Sequence, residues 1–191
     1  MMNRPDSPHV IVPGWGGSGA RHWQSLWERE LGADRVVLAD WFDARPDVWT
    51  AALDRTLDAL ARRDSRPPVL VAHSLGCVVV ARWARTAKRA VRAALLVAPA
   101  DVEREGCTAA LREFRPLPRH ALPFSSAVVT SDDDPYVAVA RADALATAWG
   151  SDFYVVPAGG HLNADSGLGA WLEGRALLDR LLQRTAFSRA G

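Results

Sequence analysis

The fold is decided by the stretch Val69-Leu70-Val71-Ala72-His73-Ser74-Leu75-Gly76. It joins a short, largely β-branched apolar run to a helical pattern that begins at Leu75. Ala72 and Gly76, two positions from Ser74 on either side, are small enough to allow a sharp turn between strand and helix. This is the pattern of a nucleophile elbow, G-x-S-x-G, with alanine in the place of the first glycine.

A serine at the start of a helix is also a common N-cap, whose hydroxyl accepts a hydrogen bond from the helix backbone. The histidine before Ser74 and the glycine two residues after it favour the elbow. In an elbow the helix N-terminus directs its amides and its dipole at the point where negative charge develops during acyl transfer. We therefore expect Ser74 to be a nucleophile.

Apolar runs and helical periods alternate along the chain. Unbroken apolar runs are typical of strands buried on both faces of a parallel sheet. The predicted strands are His9–Val12, Arg35–Ala39, Val69–Ala72, Ala93–Ala98, Ser126–Thr130 and Phe153–Val156. The predicted helices are Trp23–Leu31, Trp49–Leu60, Leu75 to about Thr86, Val137–Trp149 and Leu168–Gln183. This alternation predicts an α/β fold, a three-layer sandwich around a mainly parallel sheet of about six strands.

Length and composition narrow the class of protein. The 191 residues fit one domain, residues 1–191, which buries enough surface to need no disulfide or metal for stability. The longest apolar run, Ala93–Ala98, is far too short to span a membrane. Because Met1–Asp6 has no apolar core behind its one arginine, we expect no signal peptide and a cytoplasmic location.

The charges are balanced and scattered. The chain has 23 basic and 22 acidic residues, a net charge of +1, and no basic stripe, so we expect neither a nucleic-acid nor a membrane partner. Cys77 and Cys107 stand in no metal-binding or CxxC spacing, and we expect no metal and no cofactor. The oligomeric state is not decided by these features.

A serine nucleophile needs a base, and the base needs a carboxylate to orient it. In α/β hydrolases the three residues follow the order serine, acid, histidine. His161, behind Gly159-Gly160 at the end of the sixth predicted strand, is the expected base. Asp132-Asp133-Asp134 follows the fifth, and we expect Asp134 to be the acid, with Asp132 as the second choice. The cluster is also compatible with a calcium-like site, a helix N-cap or a solvated turn, although no further ligands are spaced around it.

The loop Gly14-Trp15-Gly16-Gly17-Ser18-Gly19 supports two interpretations. It reads as G-x-G-x-x-G after a strand, and Asp40 ends the next predicted strand, as in a dinucleotide-binding oxidoreductase. Trp15 crowds the position of a pyrophosphate, however, and Pro13 removes an amide before the turn. The loop also suits an oxyanion hole in which the N–H groups of Trp15 and Leu75 converge on one oxygen. We favour the oxyanion hole and keep the oxidoreductase as an alternative.

Together these motifs resemble those of the small serine hydrolases related to retinoblastoma-binding protein 9. The resemblance covers residues 9 to about 182 and rests on Val12–Gly19, His22–Gln24, Asp40-Trp41, Pro46, Trp49, Ala72–Gly76, Asp133–Pro135 and Gly160–Gly167. It implies a compact α/β-hydrolase fold without a cap domain and a triad of Ser74, Asp134 and His161. The L-x-C-x-E signal for binding retinoblastoma protein is not matched, because residues 75–79 end in valine, so that partner is not carried over.

We expect a serine hydrolase that cleaves small carboxylic esters or amides through an acyl-enzyme. Ser74 attacks the carbonyl, His161 transfers the proton and Asp134 orients His161. A non-enzymatic interaction module on the same scaffold is the second alternative, because fold does not determine function. A separation of Ser74 and His161 beyond hydrogen-bond reach would favour that alternative.

The segment from Pro99 to Pro123 is too short to form an independent lid. Substrate must then be held by side chains at the ends of the strands. The expected substrate-binding residues are His22, Trp41, Tyr136 and Asn163, and Trp15 is an expected aromatic wall. Three further tryptophans lie on helical faces and are expected in the core: Trp23, Trp27 and Trp49.

Overall fold

One central sheet organises the protein in the computed structural model, which describes residues 7–187. Its strands are β1 (His9–Val12), β2 (Asp34–Arg35), β3 (Val69–His73), β4 (Ala93–Val97), β5 (Ser125–Ser131) and β6 (Asp152–Val156). They lie in the order β2-β1-β3-β4-β5-β6, and all of these pairings are parallel, which confirms the predicted six-stranded sheet. The expectation of no signal peptide concerns Met1–Asp6, which lie outside the described residues.

Helices cover both faces of the sheet. They are α1 (Trp23–Leu31), α2 (Pro46–Ala61), α3 (Leu75–Ala84), α4 (Val139–Trp149) and α5 (Leu172–Phe187). Alternate strand residues point to opposite faces: Leu70 and Ala72 pack with α2, α3 and α4, whereas Val69 and Val71 pack with α1 and α5. The result is the predicted three-layer sandwich. Trp23, Trp27 and Trp49 are buried in it, as expected.

The strand order reverses between β1 and β3. In open parallel sheets such a reversal opens a crevice beyond the carboxyl ends of the strands, and ligands bind there. The loops that follow β1, β3, β5 and β6 all leave from this edge. The fold thereby brings the glycine-rich loop, Ser74, the three aspartates and His161 to the same end of the sheet.

Two elements have a bound that differs by four residues from the prediction, whereas the other bounds agree within three residues. The second strand was expected over Arg35–Ala39 but pairs only over Asp34–Arg35. The N–H of Val36 still donates to the carbonyl of Ile11. The next residue of the first segment that would donate back is Pro13, directly after β1, and proline has no N–H to continue the ladder. The last helix was expected from Leu168 and begins at Leu172 instead, because Gly169 and Trp171 adopt positive φ angles of 54° and 46°.

The connection between β4 and β5 forms no cap domain. It contains one 3₁₀ helix of six residues, Ala109–Phe114, and otherwise runs as irregular chain. No helix within residues 7–187 is long and apolar enough to cross a membrane.

Close packing between α3 and β1 requires a glycine at position 76. A Cβ atom there would lie 2.3 Å from the carbonyl oxygen of Val12 and 2.7 Å from that of Pro13, and both are backbone atoms that have little freedom to move. We predict that Gly76→Ala lowers the free energy of unfolding by about 1–3 kcal/mol, measured by urea denaturation. The control is Gly19→Ala, where a Cβ meets open space. It should change stability by less than about 0.5 kcal/mol. Equal losses in both variants would contradict this account of the packing.

Candidate active site

Ser74 occupies a strained turn between β3 and α3. Its backbone has φ 53° and ψ −121°, a conformation that residues other than glycine rarely adopt. Its hydroxyl caps no helix amide, so the N-cap interpretation does not describe this residue. Instead Ser74 Oγ lies 2.9 Å from His161 Nε2. The turn is fixed by the hydrogen bond that the Ser74 N–H donates to the carbonyl of Val97 at 2.9 Å.

His161 lies between the serine and a buried carboxylate. Its Nδ1 is 3.0 Å and 2.9 Å from the two carboxylate oxygens of Asp134, whose side chain is fully buried. The same carboxylate accepts the N–H of Tyr136 at 2.8 Å. The structure therefore brings together Ser74, His161 and Asp134 in the sequence-predicted arrangement of nucleophile, base and acid.

The other two aspartates of the cluster bind the loop that carries His161. Asp132 accepts the N–H of Ala158 at 2.7 Å, and Asp133 accepts the N–H of Gly160 at 2.7 Å and the hydroxyl of Ser131 at 2.6 Å. The bond from Ser131, followed by that from Gly160, lowers the pKa of Asp133. All three aspartates thus connect the loop after β5 to the loop after β6, but only Asp134 reaches the imidazole.

The glycine-rich loop lies against the elbow. A Cβ on Gly14 would lie 2.8 Å from Ser74 Cβ and 3.4 Å from the nitrogen of Leu75, so only glycine allows this approach. Within residues 7–187, no acceptor bonds the backbone N–H of Trp15 or of Leu75. Both N–H groups that we expect in an oxyanion hole are therefore without an acceptor among these residues.

Buried aromatic side chains bind the backbone of the loop that carries His161. His73 Nε2 lies 2.9 Å from the carbonyl oxygen of His161, and Trp23 donates to the carbonyl of Leu162 at 2.8 Å. The His73 ring lies between those of His161 and His22, tilted to the first and edge-on to the second, at centroid distances of 4.9 Å and 4.8 Å. Burial, followed by the neighbouring His161, holds the pKa of His73 well below its usual value, so His73 is neutral near pH 7.

A cavity of about 260 Å³ opens beside Ser74 and His161. Three of the predicted binding and oxyanion residues line it: Trp15, Tyr136 and Asn163. The remaining wall comes from the connection between β4 and β5, through Ala100, Asp101, Val102, Arg104, Cys107, Thr108 and Leu111. Sequence analysis missed most of this wall because the segment has no helical or strand periodicity; only its start, at the end of β4, could be placed at the site.

Two predicted substrate-binding residues lie elsewhere. His22 is 4% exposed and its Nδ1 accepts the N–H of Gln24 at 3.1 Å, which caps α1. Trp41 packs edge-on against Trp49 at 5.7 Å between centroids and against Gly17, and it lines a different surface pocket together with the glycine-rich loop. Neither residue lines the cavity beside Ser74.

Comparison with known proteins identifies the family of this chain. A family model described as serine hydrolase matches residues 9–180. The chain belongs to the serine hydrolase family. No curated protein matches it. This match shows the serine hydrolase family as a whole and does not single out the group related to retinoblastoma-binding protein 9.

Solved structures similar to this serine hydrolase share its fold. A YdeN-like hydrolase from Pectobacterium atrosepticum is 29% identical, with a TM-score of 0.79 over 94% of this chain and 91% of that one. The ydeN gene product of B. subtilis is 21% identical, with a TM-score of 0.74 over 93% and 99% of the two chains. A thermophilic esterase from Thermogutta terrifontis is 15% identical, with a TM-score of 0.68 over 94% and 90%.

The dinucleotide interpretation of the glycine-rich loop does not suit this serine hydrolase. In a dinucleotide site the last glycine opens the helix, whose free N-terminal amides bind the pyrophosphate. Here α1 begins only at Trp23, and the side chain of His22 caps it. Asp40, expected at the ribose, accepts the N–H of Phe42 at 2.8 Å. Within residues 7–187, no three metal-ligating side chains cluster as a metal site would require.

The buried histidines predict a loss of stability in acid. Burial, followed by Arg35 and His161, lowers the pKa of His22 to about 4, below the usual 6.5. As the pH falls below 6.5 the unfolded chain binds a proton at this position that the folded chain does not. The free energy of unfolding therefore falls from pH 6.5 to 4, by up to ~1.4 kcal/mol per pH unit for this group.

We predict that His22→Asn, which keeps an acceptor for the N–H of Gln24, makes this slope shallower by up to that amount. Urea denaturation between pH 8 and pH 4 measures it. The difference between the two proteins at pH 8, where His22 is neutral in both the folded and the unfolded chain, gives the contribution of packing and serves as the control. An unchanged slope would show that His22 does not bind the proton on unfolding.

Proposed function

We propose that this member of the serine hydrolase family cleaves small carboxylic esters or amides through an acyl-enzyme intermediate. The observation that carries the proposal is the 2.9 Å contact between Ser74 Oγ and His161 Nε2, made by a serine whose hydroxyl caps no helix. That distance does not favour a non-enzymatic interaction module, for which we expected the two side chains to lie apart.

In the proposed reaction His161 Nε2 takes the proton of Ser74 as Oγ attacks the substrate carbonyl. The N–H groups of Trp15 and Leu75 bind the oxyanion of the tetrahedral intermediate. His161 then protonates the leaving alcohol or amine, and a water molecule activated by His161 releases the acid and restores Ser74. Asp134 holds the proton on Nδ1 and stabilises the imidazolium.

Within the family we propose kinship with the small hydrolases related to retinoblastoma-binding protein 9, on the motifs quoted above. We do not propose retinoblastoma protein as a partner, because Cys77 of the unmatched L-x-C-x-E segment is completely buried in α3. The cytoplasmic location remains a prediction from the sequence.

Replacing the acid should abolish most turnover without unfolding the protein. In Asp134→Asn the amide no longer favours a proton on His161 Nδ1, and we predict a fall in kcat of roughly 10³–10⁴-fold on 4-nitrophenyl acetate. Asp132→Asn and Asp133→Asn are matched controls, because asparagine still accepts the loop N–H groups, and each should lose less than about tenfold. Wild-type activity in Asp134→Asn, with loss in Asp132→Asn, would transfer the role to Asp132.

The size of the cavity predicts short acyl groups. Its volume of about 260 Å³ lies below the ~300–1,000 Å³ of sites for drug-sized ligands. We expect kcat/KM on 4-nitrophenyl esters to fall from acetyl and butyryl to octanoyl, because each methylene that finds no place forfeits ~1–3 kcal/mol of discrimination. A clear preference for octanoyl would reveal an acyl tunnel that the cavity does not account for.

A further inference from the structure

One arginine in the cavity wall, Arg104, forms no ion pair with any carboxylate of residues 7–187. Arg104 is half-buried and lines the cavity together with Ser74 and His161. Its guanidinium carbon lies over the Tyr136 ring, 5.5 Å from the centroid, and the Tyr136 ring is 4.6 Å from that of His161. The guanidinium thus stands one aromatic ring away from the imidazole that contacts the nucleophile.

Two carboxylates close to Arg104 in the sequence, those of Asp101 and Glu103, pair with other arginines. Arg141 lies between two carboxylates, contacting Asp101 Oδ2 at 3.3 Å and forming an ion pair with Glu103. Arg119 pairs with Glu103 as well, at 2.9 Å. These two carboxylates therefore have guanidinium partners of their own, and neither pairs with Arg104.

The donors of Arg104 are largely unused. Its Nη1 donates to the backbone carbonyl of Glu105 at 3.2 Å, and no carboxylate in residues 7–187 forms an ion pair with it. The face of Tyr136 restricts the guanidinium without occupying its N–H groups. The buried carboxylate of Asp134 lies on His161 and does not line the cavity. A planar anion entering the cavity would therefore meet a fork of free donors, the geometry that binds a carboxylate through two parallel bonds.

We propose that Arg104 binds substrate, and that the substrates of this enzyme carry a carboxylate a short chain away from the carbonyl that Ser74 attacks. The proposal rests on the proposed function, because it assigns a substrate class to the same site. The small cavity sets the short chain. The single unpaired guanidinium matches the single charge of a carboxylate better than the double charge of a phosphate monoester.

The test compares two substrates that differ in one charge. Methyl hydrogen glutarate carries a carboxylate and methyl glutaramate carries the neutral amide of the same shape; acetoxyacetate and acetoxyacetamide repeat the comparison with the charge on the alcohol side. The measured quantity is the ratio of kcat/KM for the charged substrate to that for the neutral one. We expect a ratio of about ten or more in at least one pair, since hydrogen bonds to charged groups are the stronger ones.

Variants assign the preference to the side chain. Arg104→Gln should bring the ratio to about one, and Arg104→Lys, which keeps the charge but not the fork, should give an intermediate ratio. Arg112→Gln removes an exposed arginine of the same connection that does not line the cavity, and should retain the wild-type ratio. A wild-type ratio near one in both pairs, or a ratio unchanged in Arg104→Gln, would overturn the proposal.

The outcomes of the same assay, together with one inhibition experiment, separate failure of the substrate class from failure of the proposed function. If methyl glutaramate is hydrolysed but the charge makes no difference, the substrate class is wrong and the proposed function stands. If no ester is hydrolysed, the proposed function fails as well. Stronger inhibition by inorganic phosphate than by glutarate at equal ionic strength would also overturn the proposal, because the class of anion would then be wrong.

Discussion

The site depends on the positive φ angle of Ser74, which a residue with a side chain adopts only when its surroundings impose it. Here β3 and α3 are both buried and leave a single residue for the turn between them. Gly76 lets α3 approach β1, and Gly14 lets the following loop approach the serine. The hydroxyl consequently contacts His161 and does not cap the helix. The strain is maintained by packing that the sheet provides.

The position of His161 has a separate cause. Its loop follows β6, an edge strand of the sheet, and the loop backbone is bound by side chains of two other parts of the chain. Asp132 and Asp133, at the end of β5, accept N–H groups of the loop. The buried side chains of His73 and Trp23 contact its carbonyl oxygens. In the proposed reaction, a base held in this way needs little reorganisation when the proton moves, which is one source of catalytic preorganisation. The loop that carries His161 is the same for every substrate, so we assign substrate selectivity to the irregular segment that carries Arg104.

The sequence predicts those features that depend on short, local patterns. The elbow, the loop motifs that carry Asp134 and His161, and each strand and helix are short local patterns, and the known order of serine, acid and histidine in α/β hydrolases connects the three motifs. The orientation of His22 and Trp41 does not follow from such patterns, because it depends on contacts that no motif specifies. His22 accepts the N–H of Gln24 and caps α1, and Trp41 packs against Trp49. The wall around Arg104 is likewise decided by tertiary packing, because residues 98–108 form no regular element.

The most direct test of the account is whether Ser74 is an activated nucleophile. A fluorophosphonate probe reacts with a serine only where a base and an oxyanion hole are assembled around it. Mass spectrometry of the labelled and digested protein should find one adduct per chain on the peptide that contains Ser74, absent in Ser74→Ala and in protein unfolded in urea. Folded protein without a label on Ser74 would contradict the account, and binding of NAD(P)H by such unlabelled protein would restore the oxidoreductase interpretation.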